Sequence, residues 1–232
     1  MAVVCRELKL HQSILGHNDA AAALLRQRFM ASGVRAVNLL SSPGSGKTAL
    51  LEALAPRLMD RVAPPRLAAI VGDLATDCDA RRLQAAGLPA QTVTTGQACH
   101  LDAAMVTLGL HRLAHQGITL DQLELLLIEN VGNLVCPGAY DLGESLRLVL
   151  VSTTEGEDKP LKYAPIFHSA DLVVITKIDL AAAVGYDRQA AHGAIARVAP
   201  AAAVLETSVR SGEGIDALVA VLRRTLALSP PV

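Results

Sequence analysis

Between Val34 and Asp60 the sequence runs VRAVNLL, SSPGSGKT, ALLEALAPRLMD: a short apolar stretch, a glycine-rich turn, then a run of helix formers. A strand that passes through such a turn into a helix is the setting in which backbone N–H groups wrap phosphates, with the positive end of the helix pointing inward. The turn carries the residues for that task. Gly44, Ser45, Gly46, Lys47, Thr48 and Ala49 bring N–H groups to the anion, the Lys47 ammonium reaches the terminal phosphates, and the Thr48 hydroxyl suits Mg²⁺. The pattern G-x-x-x-x-G-K-[ST] is met except at its first position, where Ser41 replaces glycine. The competing reading, a glycine-rich turn with a surface lysine, gives the flanking strand and helix no purpose.

The rest of the chain extends the same alternation. Short strand candidates recur at RLAAIVG, AQTVTT, LELLLIE, LRLVLVS, DLVVIT and AAVLETS, and between most of them lie helical stretches such as HLDAAMVTLGLHRLAHQ and GIDALVAVLRRTLAL. Strands that are apolar on both faces and alternate with helices predict an α/β fold, a mostly parallel sheet flanked by helices. From about Leu8 to Met30 the chain is rich in helix formers, and Gly33 is positioned to stop the helix. Residues 1–33 therefore read as a short N-terminal helical segment and residues 34–232 as the P-loop domain.

Composition closes off several function classes. The 232 residues, 51% hydrophobic with a formal charge of -1, hold enough apolar material for one well-filled domain. Lys+Arg 21 against Asp+Glu 22 leaves no surplus to neutralise a nucleic-acid backbone, and 2% aromatics offer few platforms for stacking bases. The apolar runs fall short of the ~18 residues of a membrane span, and charges in MAVVCRELKLHQ stand where a signal peptide is apolar. A cytoplasmic chain with no nucleic-acid and no membrane partner is expected. The scattered cysteines Cys5, Cys78, Cys99 and Cys136 suit metal binding or free thiols better than a disulfide framework.

The bound base is signalled by VVITKID. Its Thr176-Lys177-Ile178-Asp179 approaches the Asn-Lys-x-Asp signature of GTP-binding proteins, and the Asp179 carboxylate can accept the ring N–H and the exocyclic amine hydrogens of guanine. Thr176 in place of asparagine removes an amide, which predicts weaker base binding. Ser208, in ETSVRSGEG, is the candidate for the loop over the base, although Val209 and Arg210 depart from the usual pattern. These motifs make residues 34–232 a P-loop GTPase domain.

Acidic groups at strand ends supply the remaining chemistry. In VGDLATDCDARR, Asp73 is the candidate for the Mg²⁺ shell with Thr48, Asp77 for orienting the attacking water, and Asp79 reads as a helix N-terminal charge. Glu129 and Gly132 open ENVGNLVCPGAYDLGE with the Glu-x-x-Gly of a nucleotide switch, and Cys136 follows in the same loop. Cys136 and the adjacent Cys99-His100 are soft ligands that suit Zn²⁺ or Ni²⁺. Three ligands do not close a structural zinc site, and a two-fold dimer could complete one. Spacing alone also allows a buried Cys99 beside an exposed His100. His111, His115, His168 and His192 read as surface or cap residues.

NLLSSPGSGKTALLEAL, GDLATDCDA, TTGQACHLDA, LLIENVGNLVCPGAYDLGE, TTEGEDKPLKY and ITKIDL stand in the order and context of the hydrogenase nickel-incorporation GTPases, the HypB family. The resemblance runs from the N-terminal helix to SVRSGEG. It implies a SIMIBI-type G domain and a GTP-hydrolysing, Mg²⁺-dependent metallochaperone of slow intrinsic turnover, which helps deliver Ni²⁺ to the large subunit of [NiFe]-hydrogenase with a second, nickel-insertion accessory protein. It further implies a homodimer that forms with GTP, with a metal site of residues matching Cys99, His100 and Cys136 at its interface, and with Leu180 and Val184 in dimer packing. The sequence departs from some members in lacking an N-terminal Cys-x-x-Cys-Gly-Cys motif or histidine tract, since Cys5 stands alone with His11 and His17 nearby. Cys78 reads as a bystander thiol, and Lys159 and Lys162 read as exposed loop charges, with reach across a dimer to the partner's nucleotide as the alternative. A urease-accessory nickel GTPase is the rival of similar fold, disfavoured because its Cys-Pro-His motif is missing. A metal-binding dimer with nucleotide as a structural ligand is the non-enzymatic rival.

Overall fold

The computed structural model describes residues 2–60 and 66–227, with the backbone alone for residues 2–12 and Ile14; the side chains of Cys5 and His11 lie outside what is described. Helix α1 (Ala2–Ser32) leads into β1 (Arg35–Ser41), α2 (Lys47–Met59), β2 (Leu67–Asp73), α3 (Cys78–Ala85), β3 (Ala90–Thr94) and α4 (Ala103–His115). The chain continues through β4 (Leu125–Glu129), β5 (Leu146–Ser152), α5 (Lys159–Lys162), α6 (Ala164–His168), β6 (Leu172–Thr176), α7 (Ala181–Val184), α8 (Arg188–Val198), β7 (Ala203–Glu206) and α9 (Ile215–Ala227). The seven strands form one sheet in the order β3-β2-β4-β1-β5-β6-β7, and every pairing is parallel. The expected strands are all present, displaced by a few residues at their ends, and the sheet is wholly rather than mostly parallel.

Alternation along the strands decides which helices cover which face. Val37 and Leu39 of β1 face Leu50, Leu54 and Leu58 of α2 together with Leu218 and Leu222 of α9. On the opposite face, Ala36, Ile70 and Ile128 meet Leu25 and Phe29 of α1 and Val106 and Leu113 of α4. Beyond them Leu40, Val151 and Ile175 meet Phe167 and Ile195. Each such fully buried leucine or isoleucine contributes about 1.5–3 kcal/mol against exposure. The helical lead thus shares the core of the sheet. Among these apolar strand residues stands a carboxamide: Asn38, midway along β1, is 0% exposed.

In an all-parallel sheet every strand delivers its carboxyl end to one edge, where ligands of α/β proteins collect. The loops after β1, β2, β3, β4, β6 and β7 meet there, and they carry the motif residues. β1 sits between β4 and β5, so the phosphate loop lies at the centre of that edge.

Candidate functional site

Two clefts open at this edge. One, of 480 Å³, is lined by Lys47, Thr48, Asp73, Asp79, Glu129 and Gly132 among others. The second, of 310 Å³, is lined by Ser45, Thr176, Lys177, Asp179, Leu180 and Arg210 among others. Both include Gly46 and Ala49 at the start of α2, so an elongated ligand can run from one to the other. Gly46 holds φ at 98°, a left-handed backbone open to glycine but strained for other residues, and so turns the loop into the helix.

Polar groups in the first cleft are incompletely matched. Lys47 is 7% exposed and donates to Ser41 Oγ at 2.9 Å. Burial lowers its pKa, against the pull of Glu129. The serine that breaks the glycine pattern thereby holds the lysine, while donating its own proton to the Ser42 carbonyl at 2.7 Å. Thr48 Oγ1 donates to Glu129 Oε1 at 2.7 Å. Glu129 is 3% exposed, and burial pushes its carboxyl up to about 7, with Lys47 and the Thr48 hydrogen bond only partly opposing. Its Oε2 has no hydrogen-bond partner among the described residues. A buried polar atom left so costs about 1–3 kcal/mol. That orphaned oxygen, the Thr48 hydroxyl and Asp73 in the same cleft are the hard oxygen donors that Mg²⁺ takes.

Asp73 stays ionised despite its position. Burial raises its pKa, but bonds to Oδ1 from Thr76 N at 2.6 Å, Ala75 N at 2.9 Å and Thr76 Oγ1 at 3.2 Å outweigh it and hold the carboxyl below the usual range. Asp77, expected to orient water, pairs with Arg81 at 2.8 Å on the surface and is not among the lining residues. Asp79 does stand in the first turn of α3, as expected of a dipole charge, and it also lines the cleft, tied to Arg82 at 3.1 Å. Gly132 touches the phosphate loop: a Cβ there would lie 2.8 Å from Pro43 Cα and 2.9 Å from Pro43 N.

In the second cleft the Thr176 hydroxyl donates to the Ser45 carbonyl at 2.7 Å, and Lys177 Nζ donates to the Gly44 carbonyl at 2.7 Å. The expected loss from replacing asparagine is therefore offset in one respect, because threonine still braces the phosphate loop. Ser208 Oγ donates to Asp179 Oδ1 at 2.6 Å, which brings the two base-loop candidates together. Sequence reasoning missed Glu155, whose Oε1 accepts from Ser45 Oγ at 2.7 Å and Ser152 N at 2.9 Å. Lys159 is no free loop charge either: its ammonium stands 3.6 Å from Glu155 Oε2 and over the Tyr163 ring. Lys162 is exposed and pairs with Asp158.

Beside the first cleft, the loops after β3 and β4 bring Cys99, His100 and Cys136 together, with one ligand atom from each within 4.8 Å of the others. All three are half-buried, so the reading of a buried Cys99 beside an exposed His100 does not hold. Donors about 2.0–2.3 Å from one ion stand roughly 3–4 Å apart, so modest closure suffices. Burial lowers the His100 pKa, with Asp102 opposing. The neighbouring Cys99 thiol, then burial, raise that of Cys136, with Asn133 opposing. A neutral imidazole is ready to ligate, whereas the thiol must shed a proton to do so. Tyr140, unmarked by any sequence motif, stacks on His100 with centroids 3.8 Å apart. Cys78 is exposed at the start of α3, His192 pairs with Glu206 at 3.0 Å, and His111, His115 and His168 are exposed.

Residues 35–206 match the family model "CobW/HypB/UreG, nucleotide-binding domain". The chain belongs to the CobW/HypB/UreG family. Among its HypB members, the hydrogenase maturation factor HypB of Azotobacter vinelandii is 49% identical over 221 residues, covering 94% of this chain and 70% of the relative. HypB from Helicobacter pylori, solved in complex with nickel, superposes with a TM-score of 0.84 at 36% identity, covering 91% of this chain and 95% of that one. HypB from Archaeoglobus fulgidus superposes with a TM-score of 0.81 at 38% identity, over 91% and 99% of the two chains. The HypB likeness therefore extends beyond the nucleotide-binding core to nearly the whole chain. Among the described residues no helix is long and apolar enough to cross a membrane.

Proposed function

We propose that this chain hydrolyses GTP to GDP and phosphate and couples the nucleotide to the handling of Ni²⁺ for [NiFe]-hydrogenase. The observation that carries the reading is the single loop that starts at Glu129, bonded to Thr48 in the phosphate cleft, and supplies Cys136 to a group of soft ligands. The family membership and a relative solved with nickel support the same cargo. Zn²⁺ fits the same donors and is the alternative occupant. Residues 34–232 then carry both sites, with residues 1–33 as a helical lead.

Hydrolysis proceeds by in-line attack of water on the γ-phosphorus, which breaks the bond to the bridging oxygen and releases GDP. Thr48, with Asp73 and Glu129 nearby, would hold Mg²⁺, which would supply charge neutralisation for the phosphate oxygens. Lys47 leaves Ser41 for the terminal phosphate oxygens, and the N–H groups of residues 44–49 stabilise the charge that develops on them. Asp179 accepts the guanine donors, with Ser208, Thr176 and Lys177 fixing the loops around it. In place of Asp77, Asp79 is the acidic group beside the cleft for orienting water. Arg82 lines the phosphate cleft but is tied to Glu52 at 2.7 Å and Asp79 at 3.1 Å, and turnover is slow until a partner completes the site.

The chain acts in the cytoplasm as a homodimer formed with GTP, packing through Leu180 and Val184, and works with a nickel-insertion accessory protein on the hydrogenase large subunit. The test is a Ni²⁺ titration of metal-free protein loaded with Mg²⁺ and either a non-hydrolysable GTP analogue or GDP, following affinity and dimer fraction, with phosphate release from GTP measured in parallel. A nucleotide-dependent affinity that disappears in Cys136→Ala is expected. Equal affinity in both states would refute the coupling, and bound GTP that never releases phosphate would leave a non-enzymatic metal-binding dimer.

A further inference from the structure

Behind the phosphate cleft, which Asn130 itself helps line, runs a polar path to which the hydrolysis and metal ligation described above assign no role. Asn38 is 0% exposed inside β1, and Asn130, directly after β4, is 1% exposed. Buried carboxamides are retained where their partners need holding, because each unmatched polar atom costs about 1–3 kcal/mol. Asn130 Oδ1 accepts from Leu101 N at 2.9 Å and Val131 N at 3.0 Å, and two N–H donors on one atom identify it as the oxygen. Its Nδ2 donates to Asn38 Oδ1 at 3.4 Å, and Asn38 Nδ2 donates to Glu144 Oε1 at 3.1 Å. Glu144 accepts from Leu142 N at 2.7 Å and from Arg147 Nη2 at 2.6 Å. Arg147 in turn donates to the carbonyls of Gly138 at 3.3 Å and Tyr140 at 3.2 Å.

The path begins on the peptide that follows His100 and ends on the turn that follows Cys136. Both arms of the thiol–imidazole cluster hang from it. A second tie joins them directly, from Asn133 Nδ2 to the Cys99 carbonyl at 3.3 Å. Asn130 also stands next in sequence to Glu129, so it occupies the joint between the phosphate cleft and the cluster.

We propose that Asn130, locked by Asn38, is a positioning residue for the metal cluster: its carboxamide oxygen fixes the Leu101 peptide, and with it the distance from Cys99 and His100 to Cys136. The proposal rests on reading those three residues as metal ligands. Holding a ligand-bearing segment by hydrogen bonds from behind is how outer partners tune a metal site, and losing one typically lowers affinity about 10- to 100-fold. Asn38 acts one step further back, so its loss has the smaller effect.

The experiment measures Ni²⁺ affinity by competition with a chromophoric chelator, together with the thiolate-to-nickel absorption, in wild type, Cys136→Ala, Asn130→Ala and Asn130→Asp. Mg²⁺·GDP affinity and the urea midpoint are recorded for each. Asn130→Ala is expected to weaken Ni²⁺ about 10- to 100-fold and alter the absorption, a clearly larger change than in GDP affinity, which also senses Asn130 because it lines the phosphate cleft. Asn130→Asp, which keeps an acceptor for Leu101 N but loses the donor to Asn38, recovers part of the affinity. If Asn130→Ala binds Ni²⁺ like wild type while Cys136→Ala does not, the positioning role is refuted and the metal reading stands. If wild type binds Ni²⁺ no better than Cys136→Ala, the metal reading fails and the proposal with it. Parallel losses of Ni²⁺ and GDP affinity with a lowered urea midpoint would assign Asn130 a general structural role and equally overturn the proposal.

Discussion

Glu129 titrates near neutrality in the nucleotide-free fold, and that has a measurable price in stability. Burial raises its carboxyl from 4.5 to about 7, with Lys47 and Thr48 failing to compensate. Below pH 4.5 the folded and unfolded chains both hold the proton. Between 4.5 and about 7 the folded chain keeps a proton that the unfolded chain has released, so stability falls as pH rises through this window. The distance from 4.5 to about 7, at about 1.4 kcal/mol per pH unit, amounts to about 3 kcal/mol. Glu129→Gln keeps the shape and an acceptor for Thr48 but cannot ionise. Urea unfolding of both proteins in EDTA without nucleotide should show the glutamine variant gaining about 3 kcal/mol on wild type between pH 4.5 and 8. Taking the difference between the two proteins cancels the contributions of other titrating groups. Mg²⁺ with a GTP analogue should shrink the gain, since a cation facing Oε2 favours the carboxylate. A variant-minus-wild-type difference that is flat across this range would refute the account of Glu129 as a carboxyl destabilised by burial.

Three further perturbations test the loops. Gly132→Ala drives a methyl into the Pro43 backbone at 2.8 Å and should cost about 1–3 kcal/mol in urea unfolding while weakening GTP-analogue binding; unchanged values would deny the contact a role. Asp179→Asn replaces one of the two carboxylate acceptors facing guanine with a donor and should weaken GDP at least about tenfold, while xanthosine diphosphate gains, by calorimetry. An unchanged GDP-to-xanthosine ratio would remove Asp179 from base recognition. Thr176→Val deletes the bond to the Ser45 carbonyl and should cost about 1 kcal/mol of stability with weaker GDP binding, whereas Thr176→Asn restores both; a valine variant equal to wild type would leave the brace without function.

What could be read in advance depended on how local the determinant was. Gly44 to Ala49 form one turn and one helix start, so strand, turn chemistry and helix propensity sit side by side in the sequence. VVITKID was legible for the same reason. Asp77 and Asp79 were harder: two residues apart at a helix start, only the direction of the first turn of α3 decides which lines the cleft, and it is Asp79. Glu155 gave no signal because its partner Ser45 is remote in sequence. Asn38 did give one, a carboxamide inside a strand buried on both faces, but its partners Asn130 and Glu144 could not be inferred from that position.

The sequence by itself determined the alternation of strands and helices, the phosphate loop, the guanine motif and the set of soft ligands. Each is specified by neighbouring residues, through periodicity, turn geometry and ligand chemistry. Only the tertiary structure decided that β4 lies between β2 and β1, and therefore that the loop from Glu129 reaches Thr48 at one end and the Cys99-His100 pair at the other. Strand order is set by burying every strand on both faces at once, a condition on the whole chain that no short stretch of it records.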